Sequence, residues 1–217
     1  PDLNKTKALD YINKAIIMTR LSKNTRIKWR TYRNQFSVWL SYYEYKKALD
    51  CVKELMAIAI SLRDTALIVE SYLNKAKCYD VLNLKLEAMG NYLNAKELVE
   101  FKSNRVLEIA CYKAMSNFYF TNNMFDKADE YNQKHINLIN SKRPVDSVAL
   151  MWAFHDMQVI HSVFEKLNIE QSFLKSIDFA IRTKNNRLKQ YSFWTYITYC
   201  FDNNSIDLLY NLYNKRY

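Results

Sequence analysis

Arg26, Arg30, Arg33 and Ser37 stand 4, 3 and 4 residues apart, a spacing that puts three guanidiniums and a hydroxyl on one face of a helix. A row of donors suits charge-assisted hydrogen bonds to carboxylate or phosphate oxygens. The charge balance points to the same end of the chain. Residues 1–48 carry eleven Lys and Arg against Asp2, Asp10 and Glu44, a balance of 11−3 = +8, while the remaining 169 residues carry only 21−19 = +2. Such asymmetry draws an acidic protein surface, a nucleic acid or anionic lipid headgroups to the N-terminal end.

The other reactive side chains do not assemble into a reaction centre. One glycine in 217 residues cannot build a phosphate-cradling loop, and neither H-E-x-x-H nor a paired metal motif occurs. His155 and His161 are six residues apart and do not share a helix face, while His161 with Glu165 leaves a metal short of ligands. His135 occupies a core position that other repeats fill with Ala or Leu. Cys51, Cys78, Cys111 and Cys200 show no C-x-x-C pairing, and three of them fall beside core positions, where a free thiol packs as a small apolar group. The expectation is no catalysis, no cofactor and no metal. The longest uncharged apolar stretch, Leu55 to Leu62, is far shorter than the about 20 residues a membrane-spanning helix needs.

Helices must position these groups. Ala8, Ala48, Ala88 and Ala128 recur every 40 residues, and apolar positions follow each at helical spacing: Ala15, Leu55 and Ala95 seven residues on, then Ala59, Val99 and Ile139 at eleven. Upstream of the alanines runs a second stripe, Trp29, Tyr32, Phe36 and Trp39 in one repeat and Tyr72, Ala76 and Tyr79 in the next. With one Gly and two Pro, the chain lacks the turn material of a β domain. The pattern predicts eleven helices, over 3–22, 25–42, 45–63, 65–82, 85–103, 105–121, 124–142, 147–166, 169–184, 187–201 and 204–216. After Ala128 the interval grows to 44, with Ser172 as the next marker, so a loop at Arg143-Pro144-Val145-Asp146 is expected to have gained four residues. The sixth marker falls on Tyr210.

Tyr112, Met115, Ser116, Tyr119, Phe125, Ala128 and Asn132 together resemble the tetratricopeptide repeat, and Tyr45-Lys46-Lys47-Ala48-Leu49 resembles the opening of that family's second helix. The unit here is 40 residues where the family has about 34. Phe36, Ala76, Ser116 and Ile160 stand where members often carry glycine. The resemblance implies an all-α superhelix of five to six helix pairs, read as one solenoid domain over residues 1–217. From the unmatched first helix and the apolar Ile206, Leu208, Leu209 and Leu212 of the last, the chain is expected to be a segment of a longer protein that self-associates through uncapped ends.

In that family the first helix of each pair lines a groove. Carried over, the groove positions are Arg30, Arg33 and Ser37, then Leu73 and Lys77, then Lys113, Asn117 and Phe120, then Phe154, Met157 and His161. Lys113 with Asn117 resembles half of a clamp for a peptide's terminal carboxylate. The implied function is a non-catalytic scaffold for a protein or peptide, acidic in character, within a bacterial signalling or transcriptional regulator, in either a cytoplasmic or a periplasmic setting. Two alternatives stand beside it: a peptide-signal receptor controlling a fused DNA-binding or kinase segment, and nucleic-acid binding through the basic end. Because most aromatics are committed to the seams, base stacking is the weaker of these.

Overall fold

Side-chain caps and left-handed turns set the beat of this chain. The computed structural model describes residues 2–20, 22, 24–141, 144, 146–163, 169–183 and 185–216. Among them lie eleven α-helices and no strand: α1 Asp2–Arg20, α2 Thr25–Ser41, α3 Tyr45–Ser61, α4 Thr65–Val81, α5 Lys85–Lys102, α6 Arg105–Thr121, α7 Phe125–Asn140, α8 Ser147–Val163, α9 Ile169–Arg182, α10 Asn186–Asp202 and α11 Ile206–Arg216. Every start falls within two residues of its expected place. Arg143 and Val145 of the expected loop, and the expected helix ends at 142, 166 and 184, lie outside the described residues.

The first helix of each pair opens on an Asx cap. Asn24 accepts from the Arg26 and Ile27 N–H groups, Asp64 from Ala66 and Leu67, and Asn185 from Arg187 and Leu188. Asn104 accepts from Leu107, and Asp146 from Ala149. Each satisfies donors that the first turn leaves orphaned, about 1 kcal/mol per cap. The second helices α3, α5 and α7 open on Glu44, Leu84 and Met124, whose side chains make no such bond.

Helix ends are as regular as the starts. Tyr43, Arg63, Asn83, Ser103 and Asn123 have φ of 60°, 52°, 60°, 49° and 59°, one left-handed residue every twenty. In the first of these turns the Glu44 N–H donates to the Trp39 carbonyl at 2.9 Å and the Tyr43 N–H to Leu40 at 3.0 Å, and the same pair of bonds recurs at each of the others. This is the Schellman arrangement, which ends a helix and turns the chain back. Its reversal explains why several helices stop one or two residues sooner than periodicity alone predicts.

The residues fall into two compact units, Pro1–Phe118 and Tyr119–Tyr217, with the boundary inside α6. In the first, Trp29, Phe36, Cys51, Val52 and Leu55 form a core with Ala48 and Cys78, and Ala88 is fully buried on α5. Burial pushes the thiols of Cys51 and Cys111 up to about 12 and that of Cys78 to about 11, so they remain protonated packing groups. In the second, Phe173, Ile177, Tyr196 and Cys200 form a core against which Leu208 and Leu209 pack. Ala128 and Ser172 are buried as their marker role requires. Tyr210 is not the sixth marker, because it is 68% exposed. Leu209 holds that place, five residues beyond left-handed Asn204, as Ala88 lies five beyond Asn83.

Left-handed φ strains a residue with a Cβ by about 1 kcal/mol, and glycine escapes it. Arg63→Gly is therefore expected to raise stability by roughly 0.5–1 kcal/mol in urea unfolding, net of glycine's entropy. A fall in the midpoint would contradict the turn assignment.

Candidate functional site

In the first unit, α2, α4 and α6 carry the expected positions in equivalent places. Arg33, Leu73 and Lys113 each lie eight residues after the first residue of their helix, and Ser37, Lys77 and Asn117 lie twelve after it. Leu73 is half-buried, and the others, with Arg30, are exposed. One face thus presents four cations among polar groups.

Two of the guanidiniums are already engaged. Arg33 Nε donates to Glu70 Oε1 at 2.6 Å, and its guanidinium lies 5.8 Å from the Trp29 ring centre. Arg26 Nη2 reaches Asp64 Oδ2 at 3.4 Å. Ser37 donates to the Arg33 carbonyl at 3.2 Å, which leaves its lone pairs as the outward-facing chemistry. Among the described residues Arg30 and Lys77 carry no ion pair. Exposed pairs of this kind are worth about 0–1 kcal/mol, so a ligand carboxylate can take Glu70's place at little cost. Glu70 did not figure in the sequence reading, although its position five residues into α4 matches that of Arg30 in α2.

The second unit departs from expectation. Phe154, Met157 and His161 are only 7%, 4% and 5% exposed and belong to its core. Phe154 stacks on Phe179 with ring centres 5.7 Å apart, and Met157 Sδ accepts from Gln133 Nε2 at 3.7 Å. His161 Nε2 lies 3.1 Å from Asp129 Oδ1, and its Nδ1 lies 3.4 Å from Ser172 Oγ. That chain links α7, α8 and α9. With both ring nitrogens engaged and Ser172 buried, it ties helices together and exposes no nucleophile. Phe120, half-buried, keeps its ring 5.8 Å from Phe125.

The miss has a simple cause. From α6 to α8 the starts differ by 147−105 = 42, and from α7 to α9 by 169−125 = 44. The four added residues are therefore split, two before α8 and two after it. The equivalents of Lys113 and Asn117 are His155 and Val159, and in α10 they are Trp194 and Thr198. Trp152 and Tyr191 take the place of Arg30. Tyr191 OH lies 3.0 Å from His155 Nε2, and Trp152 packs on both rings at 5.3 and 5.7 Å. The signal that could have set this register was the Asx cap: Asp146 lies 42 residues after Asn104.

Among the described residues no group of three His, Cys, Asp or Glu is placed to hold a metal, and no helix is long and apolar enough to cross a membrane.

No protein-family model matches the chain, and no curated protein matches it. Solved structures do. BtubC (BKLC) from P. vanneervenii superposes with a TM-score of 0.66 at 13% identity, over 81% of this chain and 73% of that one. The apo form of RapI gives 0.63 at 16% identity over 97% of this chain, which spans 57% of RapI's length. NprR in complex with its cognate peptide NprX covers 100% of this chain and 74% of its own at 15% identity, with a TM-score of 0.45 too low to bear on this protein. The first two likenesses concern the fold alone: an all-α repeat of tetratricopeptide-like helix pairs.

His161→Ala removes a buried ring and both of the contacts by which it joins α7, α8 and α9, so it is expected to cost about 1–3 kcal/mol in urea unfolding. A residue standing free on an open face would cost within about 0.5 kcal/mol.

Proposed function

We propose that this chain is a non-catalytic binding scaffold, built of long 40-residue tetratricopeptide-like units, whose first-helix face takes a peptide or protein segment. The basic first unit selects a carboxylate-bearing one. The observation that carries this reading is the recurrence of exposed cations and polar groups at equivalent places on successive first helices: Arg30, Arg33 and Ser37 on α2, Lys77 on α4, Lys113 and Asn117 on α6.

Chemically the arrangement is a preorganised receiver. Helix backbones fix where each donor starts, and Glu70 with the Trp29 ring holds the Arg33 guanidinium in place before any ligand arrives. A ligand carboxylate exchanges with Glu70 on Arg33, while Lys113 and Asn117, one turn apart, can donate to a second oxygen pair such as a chain terminus. Leu73, half-buried between them in the repeat order, supplies the apolar contact that charge alone lacks. The long unit supports placing the chain within a bacterial signalling or transcriptional regulator, with a peptide as the signal.

Calorimetric titration with acidic peptides bearing a free C-terminus tests this. Arg33→Ala and Lys113→Ala are each expected to weaken binding about tenfold or more, as loss of a hydrogen bond to a charged group does. Affinity unchanged in both variants removes the first-unit site. Raising salt should weaken peptide binding modestly. A steep logarithmic fall with nucleic acid as the titrant would favour the rival reading of the basic end.

A further inference from the structure

Two cavities of the second unit suit a ligand of opposite character. One, of about 250 Å3, is lined by His155, Val159 and Trp194 among others, and the other, of about 580 Å3, reaches His161, Asp202 and Asn203. They share Ser162, Phe173, Thr195 and Thr198 and so adjoin as two lobes of a hollow lined by α8, α9 and α10.

The two lobes differ. The smaller has an apolar wall of Val159, Phe173 and Trp194, and Trp194 is 68% exposed and free to offer its ring. The larger ends at Asp202 and Asn203, the C-terminus of α10, where the helix dipole adds partial negative charge.

The hydroxyls of Ser162, Thr195 and Thr198 along the hollow have spent their protons. Ser162 Oγ donates to the Val159 carbonyl at 2.9 Å, Thr195 to Ser192 at 2.9 Å, and Thr198 to Trp194 at 3.0 Å. Asn203 Nδ2 donates to Tyr199 at 2.9 Å, and Gln158 Nε2 to Ser172 at 3.3 Å. What the three hydroxyls offer a guest is lone pairs. Among the described residues neither lining contains Lys or Arg, and Asp202 carries no ion pair.

We propose that this hollow binds an arginine or lysine side chain of a peptide. The alkyl stem lies on Phe173 and Trp194, and the cation meets Asp202 and the Thr198 hydroxyl. A bare metal ion is a poor guest, because one carboxylate with hydroxyls is too few charged ligands. This site stands on the second unit's own residues and does not depend on the cationic face of the first.

The probe is a blocked pentapeptide with one arginine between alanines, compared with a twin bearing citrulline, which keeps the shape and most donors but not the charge. Binding is read by calorimetry and tryptophan fluorescence. Wild-type protein is expected to prefer the arginine peptide about fivefold, as an exposed ion pair allows. Asp202→Asn should abolish that preference and Asp202→Glu restore it. Trp194→Ala should weaken both peptides, while Arg33→Ala and Lys113→Ala change neither. Asp202 and Trp194 are exposed, so these variants are expected to melt as the wild type does, with circular dichroism as the check. Equal affinity for both peptides, no binding of either up to about 1 mM, or a preference that survives Asp202→Asn would overturn the proposal.

Discussion

Everything in this chain depends on a small residue placed five positions beyond a left-handed turn. Ala48, Ala88 and Ala128 follow Tyr43, Asn83 and Asn123 at that distance, and each is fully buried. A side chain ending at Cβ lets a neighbouring helix approach closely along its length, and the surrounding large residues then interlock at crystal-like density. The turn fixes where the helix begins, and the small residue fixes which side of it faces inward. Leu55, Ala59, Ala95 and Val99 complete the buried side at helical spacing, and all four are fully buried. Ser172 keeps the role in α9, with a hydroxyl that the His161 contact puts to use.

Because one side is committed to packing, the opposite side of each first helix is left to vary. In the first unit the equivalent places hold Arg30, Arg33, Lys77 and Lys113, and in the second Trp152, His155, Tyr191 and Trp194. The same backbone places therefore carry cationic chemistry in one unit and aromatic chemistry in the other. That division is how a repeat scaffold acquires selectivity without altering its fold.

Helix number, order and starts were legible in the sequence, because a repeated alanine and a 3.6-residue period admit few alternatives when glycine and proline are so scarce. The first-unit face was legible for the same reason. The second-unit face was not. Spacing from Ala128 to Ser172 reveals that four residues were added but not on which side of α8 they lie. Each misplaced residue turns a helix by about 100°, so an error of two exchanges its outer face for its inner one. Phe154, Met157 and His161 were thus expected outside and lie inside. Glu70 was missed for another reason. Its importance comes from a partner 37 residues away, Arg33, and no local pattern announces such a pair.

Unfolding of two leucine variants tests the packing constraint most directly. Ala88→Leu puts three carbons where no accessible surface remains, and should cost about 1–3 kcal/mol through overpacking, whereas Ser37→Leu on the open face of α2 should stay within about 0.5 kcal/mol of wild type. If Ala88→Leu instead unfolds at the wild-type midpoint, the helices do not meet at their small residues, and the faces assigned from that register lose their basis.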